Sequence, residues 1–90
     1  MLEHDIEKKL VHEVKSVAGI APKLTCPGMA GMPDRLVLLP HGRCAFVELK
    51  APGKLPRPLQ LKRHEQLRAL GFKVFVLDNV EDIPEVINAI

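Results

Sequence analysis

Residues 36–50 constrain the fold of this chain more than any other stretch. Two apolar segments, residues 36–39 and 44–50, are separated by four residues that include Pro40 and Gly42, which is typical of a β-hairpin. Neither segment alternates between apolar and polar residues, as a strand with one face in water would. Both faces of the hairpin must therefore be covered, so we expect a sheet between layers of helices.

The segment before the hairpin predicts a helix, a short strand and a loop. Apolar residues spaced three or four apart indicate an amphipathic helix over residues 2–17 that ends near Gly19. A strand over residues 20–26 and a loop rich in proline and glycine follow. The apolar stripe of the helix consists of Ile6, Leu10, Val14 and Val17.

The segment after the hairpin predicts helix, strand and helix. A loop with three prolines leads to a helix over residues 59–70, which Gly71 ends, and then to a strand over residues 72–77. Asp82 is the predicted N-cap of a last helix with the apolar stripe Ile83, Val86, Ile87 and Ile90. The order α-β-β-β-α-β-α predicts an α/β sandwich with a mixed sheet flanked by helices, and we expect one domain over residues 1–90.

Composition excludes several classes of protein. With 3% aromatic residues and no Trp or Tyr, an aromatic stacking platform for bases is not expected. Cys26 and Cys44 lack the paired spacing of a zinc site and are too few for a disulfide-stapled scaffold, so we expect reduced packing residues. The charged N-terminus does not fit a signal peptide, and no apolar run approaches ~18 residues. We expect a soluble, cytoplasmic protein without a membrane segment.

Positive charge is concentrated in one part of the chain. Residues 54–73 contain six basic residues against the single acid Glu65, a local charge of +5, whereas residues 1–18 carry four acids and three bases. The basic segment is the candidate phosphate-binding surface. The alternative is a solvated helix face on which the basic residues maintain solubility.

Two carboxylates are predicted to meet at the open end of the hairpin. If the turn is centred on His41, the numbers of cross-strand partners add up to about 82, which places Asp34 opposite Glu48 with Cβ atoms about 5 Å apart. Carboxylates at this distance repel each other unless a cation lies between them or one is protonated. Since the neighbouring strand residues are almost all apolar, these acids cannot be dismissed as surface charges.

Lys50 is expected in the same pocket, because side chains two apart on a strand point the same way. Two carboxylates, a backbone carbonyl such as that of Leu49, and water suit a hard divalent cation, Mg²⁺ or Mn²⁺. Lys50 would then position a nucleophile or neutralise charge on a phosphate. In the alternative, Asp34 caps its loop and Glu48 forms a buried ion pair with Lys50 or Arg35.

These residues carry a resemblance to a known family. Gly-Met-Pro-Asp at 31–34, an apolar strand, and Phe-Val-Glu-Leu-Lys at 46–50 resemble the PD-(D/E)xK motif in the form of the virus-type replication-repair nucleases (VRR-NUC). An acidic first helix, a Pro/Gly loop after Lys50 and Gln60 at the start of the next helix extend the resemblance over nearly the whole chain.

The resemblance implies a restriction-endonuclease-like fold and assigns roles. Lys50 would be the catalytic lysine, and Gln60 would lie at the edge of the catalytic pocket. A glutamate of the first helix would also serve the metal, and the sequence leaves Glu3 and Glu7 open. The metal ligands would be Asp34, Glu48, the Leu49 carbonyl and one of these two glutamates.

Single basic residues near the predicted metal, and His64 beside Gln60, complete the expected contacts with nucleic acid. The full set is Lys23, Arg35, Lys54, Arg57, Lys62, Arg63, His64 and Arg68. The glycines of the loop over residues 24–32 lack the pattern that cradles nucleotide phosphates, so no nucleotide cofactor is expected.

The resemblance further implies a DNA endonuclease that hydrolyses phosphodiester bonds. Stand-alone members of the family are phage or bacterial proteins that tend to form homodimers and resemble Holliday-junction resolvases, so we expect branched DNA as substrate. The apolar C-terminal stripe would form the dimer interface or, alternatively, cover the sheet. A competing hypothesis is a non-catalytic nucleic-acid-binding or interaction module, against which the intact Asp34, Glu48 and Lys50 argue.

Overall fold

The computed structural model describes residues 1–90 and contains three α-helices and three β-strands. None of the helices is long and apolar enough to cross a membrane. The predicted mixed α/β architecture with helices on both sides of the sheet is confirmed. In chain order the elements are α1 (Glu3–Ser16), β1 (Arg35–Leu39), β2 (Arg43–Leu49), α2 (Pro58–Ala69), β3 (Val74–Leu77) and α3 (Ile83–Ala89).

The central hairpin has the predicted register. Arg35 pairs with Val47 and Leu39 with Arg43 in an antiparallel ladder, so partner numbers add up to 82. The turn is a short 3-10 helix, Pro40–Gly42, in which His41 has a φ of 68°. β3 lies parallel to β2, and the strand order is β1-β2-β3, with α2 as the crossover between β2 and β3.

Strand alternation gives the sheet two distinct faces. The odd-numbered apolar side chains of β1 and β2, such as Val37 and Val47, are buried in the core that the stripes of α1 and α3 complete. Even-numbered side chains point to the other face, which α2 covers with His64 and Leu67 as its buried residues. Asp34, Glu48 and Lys50 are even-numbered and therefore belong to the α2 face.

The C-terminal helix covers the sheet and does not form an exposed interface. The whole predicted stripe belongs to the hydrophobic core, so it is not available to a second subunit. Its members are Ile83, Val86, Ile87 and Ile90, each 9% exposed or less.

Capping at this end of the chain also differs from the prediction. Asp82 holds the N-cap position of α3 but makes no side-chain cap hydrogen bond. Instead, Oδ1 of Asn79 accepts a 2.9 Å hydrogen bond from the N–H of Glu81 in the preceding turn, Val80–Asp82.

The predicted first strand, residues 20–26, is reduced to two isolated bridges, Ile20 with Leu38 and Lys23 with Arg35. Pro22 lies between the bridges and has no N–H to donate to a ladder, although its carbonyl accepts from the N–H of Leu36 at 3.1 Å. The segment therefore lines the outer edge of β1 without becoming a regular strand.

The end of α1 also differs from the prediction. The helix stops at Ser16, Val17 is exposed, and Ala18, one residue before the predicted Gly19, adopts a positive φ of 65°. Gly19 is required for a different reason: a Cβ there would lie 2.6 Å from the carbonyl oxygen of Leu38. Its missing side chain allows the chain to pass close to β1.

Candidate metal centre

Asp34 is fixed at the open end of the hairpin by two hydrogen bonds. One step beyond the observed ladder, the register places it opposite Glu48. Its Oδ2 accepts from the backbone N–H of Leu49 at 2.8 Å, and its backbone carbonyl accepts from the N–H of Leu24 at 2.9 Å. The carboxylate therefore lies beside the end of β2, as the cross-strand register inferred from the sequence predicted.

Glu48 is a buried acid, 1% exposed, whose two oxygens have separate partners. Nε2 of Gln60 lies 3.2 Å from Oε2, and Nε2 of His64 lies 3.3 Å from Oε1. Because residues four apart share one helix face, a single turn of α2 reaches both oxygens. Nζ of Lys50 lies 3.9 Å from Oε2, so the predicted neighbour on the same strand shares the pocket.

The electrostatics of this pocket favour a cation. The pKa of Glu48 is raised to about 8, first by burial and then by the hydrogen bond with Asp34 and the repulsion of its charge, while Lys50 opposes the rise. Two adjoining carboxylates are therefore costly to ionise together in the metal-free protein. A divalent cation between them would remove this cost, so the donor set fits a metal.

Gln60 is oriented by its place in the first turn of α2. Its Oε1 accepts a 2.8 Å hydrogen bond from the backbone N–H of Arg57 at the N-cap. With its oxygen engaged there, the amide directs Nε2 toward Glu48. The residue expected at the edge of the pocket thus contacts a carboxylate of the site directly.

His64 belongs to the site, and the prediction that it contacts DNA is wrong. It is 1% exposed and lies behind Glu48, where nucleic acid has no access. Burial, followed by the charges of Arg68 and Lys50, lowers the pKa of its imidazole and so disfavours the charged ring, and its Nδ1 is buried without a hydrogen-bond partner. Its spacing of four residues from Gln60 was the sequence signal for this position.

The two glutamates of α1 have different surroundings. Oε2 of Glu7 lies 3.0 Å from Nε of Arg35, and each side chain is 18% exposed. Glu3 forms no ion pair, and its charge contributes to the raised pKa of Glu48. Glu7 is therefore occupied by Arg35, whereas Glu3 has no ion-pair partner and its charge acts on Glu48.

The backbone can supply a further ligand. The N–H groups of Phe46 and Lys50 donate to β3, so the carbonyl of Leu49 points to the opposite side, toward β1. There the register places Pro33, which has no N–H to donate. Since no three His, Cys, Asp or Glu side chains form a cluster that could hold a metal, a cation would combine the two carboxylates with this carbonyl and water.

The basic residues predicted to contact phosphates differ in whether their side chains are already hydrogen-bonded within the protein. Arg63 donates to the carbonyl of Ala30 at 2.8 Å, and Arg68 donates to that of Val74 at 2.8 Å. Arg35 is held by Glu7 and by the carbonyl of Ala21. These three arginines therefore stabilise the fold, whereas the exposed residues without such side-chain bonds are Lys23, Lys54, Arg57 and Lys62.

The sheet topology and the Asp-Glu-Lys constellation are those of the PD-(D/E)xK nuclease fold. A protein of Acyrthosiphon pisum secondary endosymbiont phage 1, named "Putative nuclease p44", is 51% identical over 88 residues, covering 98% of this chain and 94% of that protein. A solved structure described as a VRR_NUC domain has a TM-score of 0.89 at 34% identity, covering 96% of this chain and 94% of the other. No family model matches. The chain belongs to the VRR-NUC family.

Proposed function

We propose that this protein is a Mg²⁺- or Mn²⁺-dependent DNA endonuclease whose residues 1–90 act as one catalytic domain. The observation that carries the proposal is the meeting of Asp34 and Glu48 at the end of β2, with the Lys50 ammonium 3.9 Å from Glu48. The fold of the VRR-NUC family and the name of the phage relative support the same class of reaction.

The proposed metal ligands are Asp34, Glu48 and the carbonyl of Leu49, with Glu3 acting through water. When bound, the cation lowers the pKa of a water molecule and stabilises negative charge on the phosphate. We favour Glu3 over Glu7 because Glu7 is paired with Arg35, whose Nε lies 3.0 Å from its Oε2. The choice between the two glutamates therefore rests on what each one contacts.

The chain's own residues orient and neutralise the reacting groups. Gln60 and His64 each hold one oxygen of Glu48, which fixes the direction of its remaining lone pairs. Lys50 presents an ammonium at the edge of the site, where it hydrogen-bonds the attacking water or neutralises charge that develops on the phosphate. The exposed residues Lys54, Arg57 and Lys62 bind flanking phosphates.

We further propose that the protein acts as a homodimer on branched DNA, such as a Holliday junction, in the phage-infected or bacterial cell. A 90-residue chain offers little surface for such a substrate, and a two-fold pair presents one active site to each of two symmetric strands. The interface must lie outside the C-terminal stripe, which is buried in the core.

The decisive experiment is cleavage of labelled linear duplex, single strand, flap, splayed arm and four-way junction with Mg²⁺, Mn²⁺ or chelator. Glu48→Gln is the matched control, because it preserves the shape of the side chain and removes its charge. Paired incisions in the junction by the wild type alone support a dimeric resolvase. Equal cleavage by Glu48→Gln would point to a contaminating nuclease and overturn the assignment.

The alternative is a non-catalytic nucleic-acid-binding module with the nuclease fold. Calorimetry distinguishes the two functions: the nuclease requires Mn²⁺ binding that is lost in Glu48→Gln and in Asp34→Asn. DNA binding without any metal binding would favour the module. An RNA substrate in the same cleavage assay tests whether the activity is restricted to DNA.

A further inference from the structure

A second charged surface lies on the opposite face of the sheet from the metal centre. It is a cavity of about 340 Å³ between α1 and Arg35, and Val11 is its only apolar lining residue. We call it the α1 groove. Apart from Glu7, which Arg35 holds at 3.0 Å, its remaining lining side chains are His4, Lys8, His12 and Lys15.

The spacing of these four residues places them along one side of α1. Steps of four, four and three residues keep side chains on the same helix face. Each four-residue step advances ~6 Å along the axis, similar to the separation of neighbouring phosphates on a nucleic-acid strand. The groove is therefore a row of evenly spaced hydrogen-bond donors, two of them permanently charged.

The acids of α1 leave its two groove lysines unpaired, although Glu7 lies 3.9 Å from Nδ1 of His4 as well as 3.0 Å from Arg35. Asp5 accepts from the backbone N–H of Leu2 at 2.9 Å, and Glu13 is paired with Lys9 at 3.0 Å. Lys8 and Lys15 form no ion pair with any residue of the chain. Residues 1–18 carry more acids than bases, but in the folded protein the unpaired lysines lie on one side of the helix.

The groove and the metal centre adjoin at the start of β1. Arg35 follows Asp34 directly, so their Cα atoms are about 3.8 Å apart, while their side chains point to opposite faces of the sheet. Lys23 pairs with Arg35 across the edge of β1, and its side chain thus points to the same side as Arg35. This adds a third free lysine at the end of the groove nearest the carboxylates.

We propose that the α1 groove binds the phosphodiester backbone of a nucleic-acid segment that continues from the metal centre on the side away from α2. The inference rests on the proposed nuclease function and deepens it. Lys54 and Arg57 precede α2 and Lys62 lies within it, on the other face. A nucleic acid at the metal centre is then held on both faces of the sheet, as two arms of a branched molecule require.

The test is the salt dependence of DNA binding, measured by fluorescence anisotropy with a labelled four-way junction in EDTA. The variants are Lys8→Ala, Lys15→Ala and the double variant, and the matched control is Lys9→Ala, a lysine of the same helix that faces Glu13. Each groove lysine should lower the slope of log K against log salt by about 0.9, and the pair by about 1.8, whereas the control leaves the slope unchanged. A double variant that behaves like Lys9→Ala would overturn the proposal.

Cleavage with Mn²⁺ separates this proposal from the nuclease function. Wild-type cleavage combined with an unchanged slope in the double variant overturns the groove alone. A lowered slope without metal-dependent cleavage supports the groove and overturns the nuclease. A last experiment measures competition by inorganic phosphate at constant ionic strength. If phosphate displaces DNA only when Lys8 and Lys15 are present, the groove binds free phosphate, and the proposal that it binds a nucleic-acid backbone is overturned.

Discussion

The imidazole of His64 lies directly behind the carboxylate of Glu48, with 3.3 Å between Nε2 and Oε1 and both side chains 1% exposed. Gln60 holds the other oxygen from the same face of α2. The direction of the carboxylate is thus determined by the helix that crosses over between β2 and β3. In the proposed metal centre these partners would hold the oxygens of Glu48 in place, His64 from a buried position and Gln60 from the edge of the pocket.

Removing the imidazole should weaken metal binding. His64→Ala is expected to reduce Mn²⁺ affinity about 10- to 100-fold, because Glu48 loses its contact at Oε1, in which Nε2 must donate once the carboxylate is ionised. Calorimetry at constant pH measures this loss, and His64→Gln, which restores an N–H donor, should recover part of it. His41→Asn, an exposed turn histidine whose positive φ asparagine tolerates, is the control. Unchanged affinity in His64→Ala at full thermal stability would exclude the positioning role.

The metal-free protein should lose stability as pH rises. The pKa of Glu48 is about 8 in the folded state against an ordinary value of 4.5, so the folded state retains a proton that the unfolded state releases between these values. The stabilising contribution is fully present below pH 4.5 and is lost as pH rises through 8. Thermal melts in EDTA measure the dependence. Glu48→Gln should show a smaller decline, and a decline equal to that of the wild type would contradict the assignment to Glu48.

Lys50 should affect turnover more than binding. Lys50→Ala is expected to lower the cleavage rate by about 10²-fold or more, because positioned charge is lost next to the phosphate. Its fold and Mn²⁺ affinity should be retained, since the carboxylates and the Leu49 carbonyl remain. Single-turnover kinetics with saturating metal measure the effect. Lys54→Ala, four residues further along in the loop, should weaken DNA binding and leave the single-turnover rate intact.

Gly19 should tolerate a side chain poorly, because its Cβ position is occupied by backbone. Gly19→Ala brings a Cβ within 2.6 Å of the Leu38 carbonyl and is expected to cost about 1–3 kcal/mol of unfolding free energy. Gly53→Ala is the contrasting variant: its φ is +79°, but nothing lies within 4 Å, so only the backbone strain of about 1 kcal/mol applies. Urea denaturation compares them. A smaller loss for Gly19→Ala than for Gly53→Ala would contradict the close packing of Gly19 against β1.

Substitutions of Lys62 and Arg68 should differ in their effect on stability, because only the Arg68 side chain forms a hydrogen bond within the protein. Lys62→Ala removes an exposed charge and should lower the salt slope of DNA binding by about 0.9 without changing stability. Arg68→Ala also removes the hydrogen bond to the Val74 carbonyl, at an expected cost of about 1–2 kcal/mol. Anisotropy and urea denaturation on both variants test this. Equal stability of the two would show that the Arg68 bond is dispensable.

The pairing of Asp34 with Glu48 was predictable because it depends on two local quantities, the centre of the turn and the two-residue period of a strand. Neither needs any knowledge of the helices. The same period placed Lys50 in the pocket. These geometric rules operate within one hairpin, so errors do not accumulate along the chain.

The position of His64 depended on longer-range packing. Which face of α2 meets β2 is set by the crossover, and α2 has exposed leucines at 59 and 61 that obscure its buried side. The same applies to Arg63 and Arg68, whose backbone partners come from other segments. The sequence shows the charge of a basic residue but not which backbone carbonyl its side chain hydrogen-bonds.

The hydrogen bond from Arg68 to the carbonyl of Val74 has a consequence for how the protein behaves at high concentration. The carbonyls of Lys73, just before β3, and of Leu77, at its end, accept from Phe46 and Lys50, so the Val74 carbonyl faces outward along the last strand of the sheet. An open strand edge is a template for pairing with another chain. The guanidinium occupies this edge with a hydrated positive charge, and so protects the folded protein from edge-to-edge aggregation.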